Sequence, residues 1–174
     1  MRDESTADRR DFLRCAVLGA SAALLGVAGP RAIAWAAGAT DALLLSCMDY
    51  RLVEDTERYM ATRGLRKKYD HVVLAGAALG AVTEKFPAWN KTFWEHLDVA
   101  IDLHGIHKVV LLDHRDCGAY KVILGEDFGK DRAKETAVHA TKLRALRRQI
   151  LAKHPKLAVE LLLMSLDGKV ETIA

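Results

Sequence analysis

The chain has 174 residues, 51% hydrophobic and 28% charged, and its 26 Lys and Arg against 23 Asp and Glu leave a formal net charge of +3. That composition excludes a disordered chain, and near-even charge with only 6% aromatics argues against a nucleic-acid surface. Three cysteines are too few for a disulfide scaffold, so what remains is a small enzyme or binding domain with one core.

Residues 1–39 read as an address. Arg9-Arg10-Asp11-Phe12-Leu13 places paired arginines ahead of the small, aliphatic run Cys15–Gly29, which Pro30-Arg31 ends. At about 1.5 Å per residue this run is too short for a ~30 Å hydrocarbon core. Small-residue cleavage options follow at Ala34-Trp35-Ala36 and Ala37-Gly38-Ala39. Together these make a secretory signal, and the Arg-Arg-x-Phe-Leu order resembles a twin-arginine export signal. The expected product, residues 40–174, is exported (periplasmic in a bacterium), with no stable membrane anchor after cleavage. An N-terminal amphipathic helix is the competing reading, to which Asp8 and Asp11 lend some support.

In chain order, the unbroken apolar run Ala42–Ser46 predicts a strand buried on both faces. A helix is expected over residues 52–63 with Gly64 just past its end, then a strand over 71–74 running into Ala75-Gly76-Ala77-Ala78-Leu79-Gly80. Asn90 is expected to cap a helix that Gly105 ends. Residues 108–112 predict a third strand closing on Asp113-His114, and residues 133–153 a long basic helix stopping before Pro155. Ala158–Met164 is a fourth strand, and Asp167-Gly168 a turn into a short last strand over 170–173. Strands alternating with helices imply an α/β domain, with a mainly parallel central sheet flanked by helices.

Two clusters carry chemistry. Cys47-Met48-Asp49-Tyr50-Arg51 follows the first strand, and His114-Arg115-Asp116-Cys117-Gly118 follows the third. In open α/β sheets ligands bind where strands end, at a switch in strand order, so the clusters should meet. Two thiolates and an imidazole suit a zinc ion with one position left open. A Cys47–Cys117 disulfide is the plain alternative, but it would need neither His114 nor the Asp49 and Arg51 beside Cys47.

These residues resemble the β-class carbonic anhydrases, which carry C-x-D-x-R after the first strand and H-x-x-C after the third. The resemblance spans roughly residues 41–174. It implies that Cys47, His114 and Cys117 bind zinc and that Asp49 and Arg51 form a catalytic dyad. It implies that zinc hydroxide adds to carbon dioxide, giving bicarbonate and a proton, in a homodimer. The roles agree with the chemistry of the groups. Asp49 can accept a hydrogen bond from the nucleophile, and the planar fork of Arg51 can hold Asp49 off the metal. After its second strand the family usually shows R-N-x-G/A-N, where this chain has Val73-Leu74-Ala75-Gly76-Ala77. Side-chain hydrogen bonding is lost there, and a drier pocket is expected. That leaves carbonyl sulfide or carbon disulfide hydrolysis, or a non-catalytic zinc protein, as alternatives.

The remaining candidates are weaker. His71 opens strand two and could shuttle protons, whereas His96, His104, His107, His139 and His154 are scattered and fit packing or surface roles. Trp89, Phe93 and Trp94 fit core or interface better than a substrate platform. Arg144, Arg147 and Arg148 fit a solvated helix face. Asp113 and Asp116 flank His114 and could orient it or simply serve the turn.

Overall fold

The computed structural model describes residues 39–174; the expected export signal lies outside the described residues but for Ala39. Five strands form one sheet: β1 (Ala42–Ser46), β2 (Tyr69–Val73), β3 (Lys108–His114), β4 (Ala158–Met164) and β5 (Val170–Thr172). Their order is β2-β1-β3-β4-β5, parallel except for the β4–β5 pair. The helices are α1 (Val53–Thr62), α2 (Ala78–Val82), α3 (Pro87–His104), α4 (Gly118–Leu124) and α5 (Arg132–Lys153), with short 3-10 turns at Tyr50–Leu52 and Phe128–Lys130.

Strand residues point alternately to the two faces, and the apolar runs serve both. Leu43, Leu45, Val109, Leu111, Leu161 and Leu163 pack on one face with residues of α2, α3 and α5. Ala42, Leu44, Val110, Leu112, Leu162 and Met164 pack on the other with Leu52 and with Met60 of α1. A sheet covered on both sides explains why β1 and the Leu161–Met164 half of β4 read as continuous apolar segments.

Local chemistry sets the helix ends. Pro87 opens α3, where its missing N–H and fixed φ cost nothing, and Gly105 closes it at φ +64°. Asn90 therefore does not cap this helix, contrary to expectation. It lies inside α3, and its side-chain amide donates to the carbonyls of Gly80 and Thr83 at 3.1 and 3.0 Å. The Asp131 carboxylate caps α5 by accepting the Lys134 N–H at 3.0 Å.

Candidate metal centre

The strand order reverses between β1 and β3, which lie side by side with Ser46 opposite Leu112. Cys47 is the first residue beyond β1, His114 the last of β3, and Cys117 precedes α4. Strand-end geometry thus delivers all three residues to one point. Their donor atoms lie within 4.8 Å of one another, with the sulfurs 3.8 Å apart and both cysteines free.

The surroundings fit a cation. His114 donates Nδ1–H to the Arg115 carbonyl at 2.8 Å, a tautomer that leaves the lone pair on Nε2. That Nε2 is buried without a hydrogen-bond partner. An unmet buried acceptor costs about 1–3 kcal/mol, which a cation at this point would offset. The Cys47 thiol is pushed below its ordinary value, first by its hydrogen bond with Cys117 and against the opposing effect of burial, with His114 and the Gly76 N–H assisting. The Cys117 thiol is pushed up by the same bond and by burial. Cys47 is thus the more readily ionised of the two, and the set of two sulfurs and one imidazole suits a borderline-soft divalent metal.

Asp49 caps the 3-10 turn that follows, accepting the Arg51 backbone N–H at 3.0 Å. The Arg51 guanidinium holds the same carboxylate with Nε on Oδ1 at 3.0 Å and Nη2 on Oδ2 at 2.7 Å. It also reaches across to the second cluster, donating from Nη1 to Asp116 Oδ2 at 2.9 Å and from Nη2 to the Asp116 carbonyl at 3.1 Å. Asp49 Oδ2 stands 3.7 Å from His114 Nε2. The hydrogen bonds from Arg51 lower the Asp49 carboxyl to about 2, outweighing its partial burial. The expected pairing of Asp49 with Arg51 is present, whereas Asp116, weighed as an orienter of His114, instead holds Arg51.

Behind the Cys47, His114 and Cys117 cluster lie supports that the sequence did not disclose. Arg115 is buried, donating to Glu135 Oε2 and Thr136 Oγ1 at 2.9 Å each and pairing with Glu171. The other Glu135 oxygen accepts the Asp116 N–H at 2.6 Å. The Leu74–Ala77 stretch has lost polar side chains but not polar contacts, because the Gly76 N–H donates to Cys47 Sγ at 3.2 Å. Gly76 sits at φ +76°, where only glycine is unstrained.

A cavity of about 320 Å³ opens over the ligand cluster and Asp49, walled by Ala75, Phe86, Trp89, Val122 and Ile123. The Phe86 and Trp89 rings stack at 4.2 Å. Trp89 thus lines the site, while Phe93 is core and Trp94 lies under Lys153 Nζ at 4.4 Å. His71 faces an adjoining cavity of about 420 Å³ that shares Cys47, Met48 and Asp49 with the first, with Ser46 Oγ 2.7 Å from its Nε2. His104 pairs with Asp70 at 2.7 Å, and Arg144, Arg147 and Arg148 are exposed.

A family profile described as "Putative carbonic anhydrase" matches residues 37–174. The chain belongs to this carbonic anhydrase family. Uncharacterized proteins of Rickettsia conorii and Rickettsia bellii are 43% and 42% identical to it over 131 residues, covering 75% of this chain and 70% and 80% of theirs. Among solved structures, a β-carbonic anhydrase of Trichomonas vaginalis superposes with a TM-score of 0.51 at 20% identity, over 97% of both chains. A carbonic anhydrase from Glaciozyma antarctica gives 0.52 at 16% identity, over 99% of this chain and 98% of that one. These likenesses show the fold, an α/β domain with a mostly parallel sheet. In this carbonic anhydrase family member, Asp113 and Arg115 on either side of His114 are engaged in buried polar contacts of their own.

Proposed function

We propose that the chain binds one zinc ion through Cys47 Sγ, His114 Nε2 and Cys117 Sγ and hydrates carbon dioxide to bicarbonate and a proton. The observation that carries this reading is the buried, partnerless His114 Nε2 facing two free cysteines, with Asp49 fastened 3.7 Å away by Arg51. Family membership and fold support it.

When bound, zinc supplies Lewis acidity, bringing the pKa of a water from about 15.7 to about 7. The chain's own groups do the rest. Asp49, ionised down to about pH 2, accepts a hydrogen bond from the nucleophile and so orients its lone pair toward carbon. Arg51 occupies lone pairs on both Asp49 oxygens, which restrains the carboxylate from swinging onto the fourth ligand position. The walls of Phe86, Trp89, Val122 and Ile123 offer apolar surface suited to a small uncharged gas.

The protein is proposed to work as a homodimer, since Met48, Tyr50, Val53 and Val73 expose apolar surface beside the edge strand β2. It is proposed to be exported by the twin-arginine route, which carries folded proteins and would deliver the thiolates already loaded with metal; the Arg9-Arg10 signal supports this.

The deciding experiment is stopped-flow carbon dioxide hydration by zinc-quantified protein beside a Cys47→Ser control. Turnover that depends on zinc and vanishes in the control is expected. Full zinc occupancy with no turnover would overturn the reading.

A further inference from the structure

Asp113 has a fully buried side chain at the end of β3, and the chemistry above makes no use of it. Its carboxylate is fully engaged. Oδ1 accepts the Ala78 N–H at 3.0 Å, and Oδ2 accepts the Tyr120 hydroxyl at 2.5 Å and His139 Nδ1–H at 2.8 Å. His139 is 1% exposed and Tyr120 2%, and their rings lie 3.8 Å apart. A polar cluster this deep is costly to desolvate, and apolar residues of similar volume would commonly serve stability as well or better. A purpose beyond packing is therefore to be sought in what the three donors are attached to.

Ala78 begins α2, two residues after the Gly76 N–H that donates to Cys47 Sγ. Between them Ala77 holds φ +40°, a strained value for a residue with a Cβ, which persists only where neighbours over-determine it. The Asp113–Ala78 bond is such a constraint. Tyr120 lies in the first turn of α4, and its N–H donates to the carbonyl of Cys117 at 3.1 Å. His139 ties the same carboxylate to the middle of α5, a long element packed on the sheet.

We propose that Asp113, clamped by Tyr120 and His139, is the positioning group for both cysteine ligands. Through Ala78 it sets the Gly76 N–H against Cys47, and through Tyr120 it fixes the turn that presents Cys117. Outer hydrogen bonds of this kind orient metal ligands and tune their donor strength. The proposal rests on the metal-centre reading above and names the residues that pre-shape that centre.

The test uses the full chain and two metals. Zinc affinity is measured by competition with a chromophoric chelator, and the sulfur-to-metal charge-transfer band is recorded after cobalt(II) titration. Tyr120→Phe keeps the ring and removes one donor. His139→Leu removes the other, while His139→Asn returns an N–H close to the position of Nδ1. Tyr120→Phe and His139→Leu are expected to weaken zinc binding about 10- to 100-fold and shift the cobalt band, with His139→Asn recovering most of both. If His139→Leu fails to fold, the Tyr120→Phe and His139→Asn pair decides. Wild-type affinity and an unshifted band in Tyr120→Phe would overturn the proposal, even if its melting temperature falls. Wild-type protein that takes up neither metal would overturn the metal-centre reading itself, a result distinct from the first.

Discussion

The backbone carbonyl of Arg115 accepts the Nδ1–H of His114 at 2.8 Å, while the Arg115 guanidinium is buried against Glu135. The His114 tautomer is thus set by a carbonyl whose position depends on an ion pair. Glu135→Ala removes the acceptor of both Arg115 Nη1 and the Asp116 N–H and leaves a buried cation with fewer partners. A loss of about 3 kcal/mol in urea denaturation is expected, with Glu135→Gln much milder. Equal stability of the alanine variant and wild type would show that Glu171 alone suffices for Arg115.

Arg51→Gln breaks the fork on Asp49 without greatly changing side-chain length. The Asp49 carboxyl should rise from about 2 toward its ordinary value of about 3.9, as followed by carbon-13 NMR of the aspartate side chains. The sign follows from linkage. A carboxyl depressed by folding contributes stability above its unfolded pKa, and that contribution is lost as pH falls between about 4 and about 2. The variant should therefore show a shallower acid destabilisation over that window. A titration of Asp49 unchanged by the substitution would mean that Arg51 is not its partner in solution.

Arg51→Lys keeps the charge and loses the fork. Turnover should fall at least about tenfold with zinc content intact, because a single ammonium cannot engage both Asp49 oxygens and Asp116 together. Stopped-flow rates beside metal analysis check this, and full activity in the lysine variant would show that charge alone is sufficient.

Chelation should change thiol reactivity in a definite order. Cys47 is half-buried with a lowered thiol pKa, whereas Cys117 is buried with a raised one. Mass spectrometry after brief alkylation of chelator-treated protein should find Cys47 modified first, and zinc should protect both. Equal modification with and without zinc would count against these sulfurs as ligands.

Gly80→Ala places a methyl 2.5 Å from the carbonyl oxygen of Ala75, which is main chain and cannot swing aside. The substitution should cost about 1–3 kcal/mol and loosen the turn that carries Gly76. Thermal melting checks it, and an unaltered melt would mean that the turn has more freedom than its contacts suggest.

How much was legible beforehand varied with the range of the interactions. β1 and β4 occur with the bounds expected, because β1 and the Leu161–Met164 half of β4 are buried on both faces and written as apolar runs. Helices α2 and α4, with five and seven residues, were not read, since so few residues show no helical period. The convergence of Cys47, His114 and Cys117 and the Asp49–Arg51 pair were legible because each motif is local and strand ends bring the two together. Asp113 and His139 lie 26 positions apart, and nothing near either marks the other. Trp89 packs against the core as expected and also lines the cavity, a second role that an apolar side chain does not disclose in sequence.

The two sulfurs 3.8 Å apart belong to residues 70 positions apart, and α1, β2, α2, α3 and β3 all lie between them. A metal ion gripping both would act as a removable cross-link, closing a ring around half of the domain. For a covalent bridge, a ring of that size removes denatured-chain entropy on the order of 4 kcal/mol. The centre would then govern the lifetime of the fold as well as its chemistry, because an unfolding chain must either release its ion or stay looped.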